Sequence, residues 1–278
     1  MNEKFVVVTG ASKGIGQASA IRLAKAGYIV FAGVRKPEDG EALRRENAAI
    51  RPLLIDVTDE AQIASAAATV RNQVAGNGLY GLVNNAGIAV AAPLEFLPIE
   101  DFRKQMEVNL VGQLAVTQAF LPCLRQARGR IINVSSIGGR IAGPLMGAYH
   151  ASKFALEGLS DSLRMQLAPW GIEVIVIEPG AIATPIWETG TQTADALIAR
   201  MNPQVNALYG QQIAGGRIWA AESAKNGAPP DQVAQTIEQA LSAARPQTRY
   251  TVGRDAMIGG RVIAKLPDRL RDRFLSRR

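Results

Sequence analysis

Short apolar runs alternate along this chain with longer stretches of helical periodicity. The first run, Phe5-Val6-Val7-Val8, is β-branched and unbroken by polar residues, as expected of a strand covered on both faces. Comparable runs recur at 28–34, 50–55, 79–83, 130–134 and 172–177, and Arg249-Tyr250-Thr251-Val252-Gly253 reads as a last strand. Between them the spacing predicts helices: one carrying Ala18, Ile21, Leu23 and Ala24 and ending at Gly27, others over 59–75 and 101–127, one from the region of Tyr149 to about 168, and one over 231–244. Strand and helix alternating at this interval predict an α/β domain with a doubly wound, mostly parallel sheet. The whole of 1–278 reads as one domain, with 185–230 and 254–278 as appendages to it.

The polar residues of interest fall where the strands end, which is where such sheets bind ligands. After the first strand comes Thr9-Gly10-Ala11-Ser12-Lys13-Gly14-Ile15-Gly16, leading into a helix. Glycines let backbone approach a pyrophosphate and a helix N-terminus favours anions, so this is a phosphate-binding device. The second strand ends Val34-Arg35-Lys36, where a carboxylate for ribose hydroxyls would stand in an NAD site. Two cations there, with Lys13 adding a third charge, predict preference for a 2′-phosphate, hence NADP(H) over NAD(H). Pro37-Glu38-Asp39 begin the next helix instead of closing the strand. The third strand ends in Asp56-Val57, a carboxylate suited to an adenine amino group, and the fourth in Asn84-Asn85-Ala86-Gly87.

The fifth strand delivers Ser135-Ser136, and Tyr149 and Lys153 follow four residues apart on one helical face. An ordinary tyrosine has a pKa of about 10 and exchanges protons poorly at neutral pH; bringing it near neutrality takes about 4 kcal/mol, which a close ammonium in a desolvated cleft can supply. Ser136 is placed to donate a hydrogen bond to a substrate oxygen. One cysteine, Cys123, and one histidine, His150, argue against a disulfide framework, a metal site or a Ser-His-Asp hydrolase. His150 reads as a packing residue on another face of the helix.

Lys4 to Thr9 runs straight into the glycine loop without a signal-peptide pattern, and no stretch approaches a membrane span, so the expected location is the cytoplasm. The formal net charge is +7. Much of it comes from Arg261, Lys265, Arg269, Arg271, Arg273, Arg277 and Arg278, opposed only by Asp268 and Asp272. This end reads either as a frayed, solvated tail or as a short amphipathic helix, with Ile263, Leu266, Leu270, Phe274 and Leu275, that meets an anionic partner or membrane surface.

Thr9-Gly10-x-x-x-Gly14-x-Gly16, Asn84-Asn85-Ala86-Gly87, Asn109, Ser136, Tyr149-x-x-x-Lys153 and Pro179-Gly180 with Thr184 together resemble the short-chain dehydrogenase/reductase family over about residues 4 to 185. The resemblance implies a Rossmann-type sheet of about seven strands, a nicotinamide cofactor and reversible alcohol–carbonyl chemistry. It implies Tyr149 as general acid/base, Lys153 as the residue that lowers its pKa and binds the nicotinamide ribose, Ser136 as the group orienting the substrate oxygen, and Asn109 as holder of a water linking Lys153 to solvent. The implied cofactor set is Gly10, Ser12, Lys13, Gly14, Ile15, Gly16, Arg35, Asp56, Val57, Asn85, Ala86, Gly87, Tyr149, Lys153, Pro179, Gly180, Ile182 and Thr184, with no metal. Residues 185–230 correspond to a substrate lid, and Leu145, Met146 and Trp187 join Ser136 and Tyr149 around a lipophilic alcohol or ketone. The C-terminal extension resembles the steroid- and retinol-dehydrogenase-like branch. A homodimer or homotetramer is expected by resemblance. A ketoacyl-thioester reductase and a non-catalytic NADP(H)-binding sensor or scaffold remain alternatives.

Overall fold

The computed structural model describes residues 3–275. Seven parallel strands, β1 (Phe5–Val8), β2 (Ile29–Val34), β3 (Ile50–Leu54), β4 (Gly81–Asn84), β5 (Arg130–Val134), β6 (Glu173–Pro179) and β7 (Arg249–Val252), form one sheet in the order β3-β2-β1-β4-β5-β6-β7. Successive residues of β1 feed opposite cores. Val6 and Val8 pack with Leu23, Val233, Ile237 and Leu241, whereas Phe5 and Val7 pack with Ile63, Val116, Phe120 and Leu163. That two-sided burial is why the strand sequence shows no polar alternation.

The first layer of helices comprises α1 (Gly14–Lys25), α2 (Pro37–Glu46) and α9 (Pro230–Ser242); the second comprises α3 (Glu60–Val74), α5 (Gly112–Ala127) and α6 (Gly147–Leu167). Arg22 of α1 fastens the first layer through Asp231 at 2.6 Å and Glu238 at 3.1 Å of α9. Asp59 caps α3 by accepting from the Gln62 N–H. Helices α7 (Ile186–Ala199) and α8 (Gln204–Asn226) fill the segment read as a lid.

The expected helix over 101–127 is divided. α4 (Ile99–Met106) passes into a π-helical turn, Glu107–Val111, before α5 begins. Along this rod Gln105, Asn109, Gln113 and Thr117 form a buried polar stripe facing the segment after β4. Gln105 and Asn109 both donate to the Ile88 carbonyl (3.0 Å each), Gln113 donates to that of Ala86 (3.1 Å), and Thr117 accepts from Asn84 (2.9 Å). Spacing of four drifts around a regular 3.6-residue helix, and the wider π turn takes up that drift.

Over the described residues the C-terminal end is helical, not frayed, although α11 stays solvated, with no buried residue. α10 (Arg254–Arg261), a 3-10 turn at Ile263–Lys265 and α11 (Asp268–Leu275) give the C-terminal segment ordered helices, and α10 packs against the domain through Ala256 and Gly259. Arg277 and Arg278 lie outside the described residues.

Candidate active site

The strand order reverses between β1 and β4, and the candidate residues collect at the C-terminal ends of the strands beside that point. The loop after β1 is drawn tightly onto β4. Thr9 Oγ1 accepts from the Asn85 and Ala86 N–H groups (3.0 and 3.1 Å), while Asn85 Nδ2 donates to the Thr9 carbonyl at 2.9 Å and the Gly10 carbonyl at 3.2 Å. Gly10 holds φ +63°, and a Cβ there would stand 2.8 Å from Ala86 Cα, so glycine is required both by conformation and by space. Lys13 at the N-cap of α1 makes no side-chain cap, and the first turn carries no acid. The opening N–H groups and positive dipole end of α1 are therefore free for an anion, which suits a dinucleotide pyrophosphate. Thr184, after β6, closes on this loop from the far side, 3.2 Å from where a Gly14 Cβ would lie.

The remaining cofactor candidates are distributed around that cradle. Ser12, Ile15, Asn85, Ala86 and Gly180 are half-buried, Gly87 is exposed, and Gly16, Val57, Pro179 and Ile182 are buried. Asp56 Oδ1 already accepts from the Thr58 N–H and hydroxyl, leaving Oδ2 without a partner among the described residues. Arg35 and Lys36 are exposed at the end of β2, and neither forms an ion pair among the described residues. Lys13 departs from expectation: its ammonium reaches Thr189 Oγ1 in α7 at 3.3 Å, linking the glycine loop to the lid segment.

Ser136 and the pair on α6 converge from different elements. Ser136 Oγ accepts from the Gly138 N–H at 3.0 Å, fixing a 3-10 turn at Ile137–Gly139, and its hydroxyl faces Tyr149. Lys153 Nζ lies 5.9 Å from the Tyr149 ring centroid and donates to the Val134 carbonyl at 2.8 Å. Burial raises the Tyr149 phenol above its usual pKa, with Ser136 pulling it back down. The depression expected from Lys153 does not figure in this arrangement, in which the ammonium donates to a strand carbonyl. Lys153 is itself pushed down to about 8 by burial, opposed by the charge of Glu157 one turn further along α6. Asn109 is fully buried with its amide committed, Oδ1 to the Ile88 N–H (2.9 Å) and Nδ2 to the Ile88 carbonyl (3.0 Å) and Ser152 Oγ (3.2 Å).

Above this floor the substrate candidates meet the lid segment. Leu145 has φ +64°, and Met146 N–H donates back to the Pro144 carbonyl at 2.8 Å, a strained three-residue turn. Its carbonyl accepts from the Ala92 N–H at 2.8 Å, and its side chain lies 3.0 Å from where a Cβ on Gly216 of α8 would stand. Trp187 donates to the Ile182 carbonyl at 2.7 Å and meets Trp219 edge-on, centroids 5.0 Å apart. Met146 is half-buried at the N-cap of α6.

Three residues here escaped sequence reasoning. His150 Nδ1 lies 3.0 Å from the Gly138 carbonyl; because that oxygen only accepts, Nδ1 carries the hydrogen. Asp255 of α10 accepts from the Ala181 N–H at 2.7 Å, gripping the loop after β6. Glu157 is buried beneath Lys153 and pairs with Arg249 at 3.0 Å. Glu157 stands four residues from Lys153 and was open to a helical-face argument; Asp255 is 74 residues from its partner and carries no local signal.

The arrangement juxtaposes an anion cradle, a hydroxyl donor and a proton-bearing phenol backed by a buried amine. A family model described as short chain dehydrogenase matches residues 4–195. Mouse retinol dehydrogenase 5 is 37% identical over 282 residues, covering 99% of this chain and 88% of its own length. A short chain dehydrogenase from Burkholderia cenocepacia, solved in complex with NADP, superposes with a TM-score of 0.76 at 28% identity over 99% of this chain and 98% of that one. A short chain dehydrogenase/reductase from Burkholderia phymatum, solved with NAD, has a TM-score of 0.74 at 22% identity over 89% of each chain, a likeness of fold. The chain belongs to the short-chain dehydrogenase/reductase family, in its retinol-dehydrogenase-like branch, and is an oxidoreductase of alcohols and carbonyls.

Proposed function

We propose that this enzyme uses NADP(H) to interconvert a lipophilic alcohol and its carbonyl counterpart, a ketone from a secondary alcohol or an aldehyde from a primary one. The observation carrying the cofactor choice is the end of β2, where Arg35 and Lys36 stand exposed and uncommitted and no carboxylate occupies the position that would hold ribose hydroxyls. A guanidinium there offers bidentate hydrogen bonds to a 2′-phosphate. The lipophilic substrate is supported by Leu145 and Met146 at the start of α6, by the Trp187–Trp219 contact between α7 and α8, and by a relative named retinol dehydrogenase 5.

The nicotinamide, when bound, donates or accepts hydride. The protein's part is proton management and placement. Gly10, Gly14, Ile15 and Gly16 hold the pyrophosphate at the N-terminus of α1. Ser136 donates to the substrate oxygen and fixes its distance from Tyr149. Tyr149 delivers its phenolic proton to that oxygen in reduction and recovers it in oxidation. Lys153 would hold the nicotinamide ribose, and its ammonium would favour the phenolate of Tyr149. Asn109 holds the Ile88 backbone beside Ser152, on the helix face that carries Lys153.

Titration with NADPH and NADH, followed by nicotinamide fluorescence, tests this reading. Tighter NADPH binding is expected. Equal or NADH-favoured binding overturns the assignment to Arg35 and Lys36.

A further inference from the structure

Where α6 meets Arg249 of β7, an open cavity of about 320 Å³ is lined by Gly139, Arg140, Phe154, Glu157, Asp161 and Arg249. Two carboxylates of this region have both oxygens engaged. Glu178 accepts from Arg140 at 3.1 Å and from the Thr251 hydroxyl at 3.2 Å, and Asp161 accepts from Arg164 at 2.8 Å and Arg249 at 2.9 Å. Glu157 differs. Its Oε2 accepts from Arg249 at 3.0 Å, whereas Oε1 is buried without a partner among the described residues, and so is Ser135 Oγ. The two meet under Gly139, where a Cβ would stand 2.9 Å from Ser135 Oγ and 3.0 Å from Glu157 Cγ. Lys153 completes the set. It lies one turn before Glu157 on α6, and its ammonium donates to the carbonyl of Val134, the residue before Ser135. An amine, a hydroxyl and a carboxyl group, each able to carry a proton, thus lead from the site to an open cavity.

We propose that Ser135 and Glu157 form a proton port, carrying protons between Lys153 and the solvent of this cavity. The port rests on the alcohol–carbonyl chemistry given above. In reduction the carbonyl carbon takes a hydride and its oxygen takes the Tyr149 proton, which leaves a phenolate. Lys153 returns a proton to the phenolate and becomes neutral. Glu157, in its acid form, gives its proton to the Ser135 hydroxyl, which passes one on to the lysine nitrogen. The carboxylate left behind is reprotonated from the cavity by water or a buffer acid. One proton thus enters from solvent for each carbonyl reduced, and oxidation runs the path backwards. Among the carboxylates here, Glu157 is the one suited to change charge. Burial raises its pKa against the pull of the Ser135 hydroxyl, and the charge of Glu178 adds to the rise while Arg249 opposes it. Burial works the same way on Asp161, but its bonds to Arg249 and Arg164 outweigh it and keep that group ionised. The port also leaves Lys153 away from the route implied by Asn109. Asn109 holds the segment after β4, whereas Glu157 opens toward β6 and β7, on the other flank of β5. Protons can then be exchanged without water entering the substrate cleft.

Stopped-flow reduction of lipophilic ketones and aldehydes, retinal among them, by the full-length protein with NADPH tests the port. The work is done at about pH 6, where Lys153 starts charged. With enzyme in excess, only the proton already on Tyr149 is used, so Glu157→Gln and Ser135→Ala should keep the first-turnover rate within about twofold of wild type. With substrate in excess, their later turnovers should slow at least about tenfold. Ser135→Ala changes no charge, and in Glu157→Gln Arg249 keeps Asp161 and Glu178 as partners, so the fold has its ion pairs in both. Glu157→Ala should show the same split between first and later turnovers. Formate, a small acid that fits the cavity, should restore its steady rate, and chloride at equal ionic strength should not. The port is overturned if first and later turnovers slow alike, which would make Ser135 and Glu157 structural supports, if neither slows, or if formate leaves Glu157→Ala unchanged. Equal turnover with NADH would strike the cofactor reading and leave the port standing. No wild-type turnover of any carbonyl with either cofactor would strike the proposed function and the port together.

Discussion

His150 Nδ1 lies 3.0 Å from the carbonyl oxygen of Gly138, and the Gly138 N–H in turn donates to Ser136 Oγ at 3.0 Å. The turn that carries Ser136 is thus tied to the helix that carries Tyr149. Replacing His150 by Leu removes the donor and should lower kcat by about tenfold, a loss of roughly 1.4 kcal/mol, with little change in cofactor KM. His150→Asn places an amide N–H near the position of Nδ1 and should restore most of the rate. Steady-state kinetics on the two variants decide it: equal losses in both would reduce His150 to a packing residue.

Tyr149 is the only proton carrier proposed to touch the substrate oxygen. Tyr149→Phe should lower kcat by at least about 10³-fold, within the span attributed to positioned acid–base groups. Cofactor affinity, read by fluorescence titration, should stay within about threefold of wild type, since that change corresponds to under 1 kcal/mol. Retained turnover would remove Tyr149 from the mechanism.

Arg35→Asp replaces a phosphate partner by a carboxylate suited to ribose hydroxyls. The ratio of kcat/KM for NADPH over NADH should fall by about 10²-fold, as expected for loss of one charge-assisted interaction and gain of a repulsion. An unchanged ratio would show that the end of β2 does not read the 2′ position.

The buried Lys153, held down to about 8 against an ordinary 10.5, gives the free enzyme an alkaline limit. Burial is the larger cause and the Glu157 carboxylate opposes it, so Glu157→Gln should carry the pKa lower still. For carbonyl reduction at limiting cofactor, kcat/KM should decline above about pH 8 in the wild type and at lower pH in Glu157→Gln. The stability sign follows from the same shift. Between about 8 and 10.5 the unfolded chain binds more protons at this site than the folded one, so this lysine's contribution to stability rises with pH across that window. A pH profile that does not move on Glu157→Gln would show that Glu157 leaves Lys153 untouched.

Asp255 holds the loop after β6 through the Ala181 N–H at 2.7 Å. Asp255→Ala should cost about 1.5–3 kcal/mol, or on the order of 3–9 °C in Tm, and should raise cofactor KM because Gly180 and Ile182 lose their brace. Asp255→Asn retains an acceptor and should lie between. Thermal melting with and without NADPH makes the comparison.

The strands and the two-sided sheet were legible because parallel strands buried on both faces write unbroken apolar runs, as in Val6-Val7-Val8. The family was legible because glycine loop, Asn85, Ser136, Tyr149 and Lys153 occur in order, and each local motif implies its own turn or helix face. What escaped depended on tertiary approach. Nothing near Asp255 in the chain points to Ala181, and nothing near Lys13 points to Thr189, 176 residues away. The C-terminal segment divides: the basic stretch is solvated as its charge density suggests, though helical at α11, whereas the two small residues Ala256 and Gly259 let the preceding α10 settle close on the domain. The tyrosine–lysine pair was placed correctly on one face, yet spacing alone gives no account of a competing acceptor such as the Val134 carbonyl.

The π turn at Glu107–Val111 makes this stretch of chain intolerant to a change of length. Each residue of a helix advances about 100°, so deleting one residue here would leave two incompatible halves. If Gln105 and Asn109 kept their grip on Ile88, Val116, Phe120 and Leu124 would rotate out of the sheet core; if the core held, the polar stripe would turn away from the 84–90 backbone. Substitutions among the turn's outward residues are neutral to this constraint, but an insertion or deletion is not. Across relatives, alignment gaps should therefore be missing between Gln105 and Gln113 even where sequence identity is low, a signature of phase conservation without residue conservation.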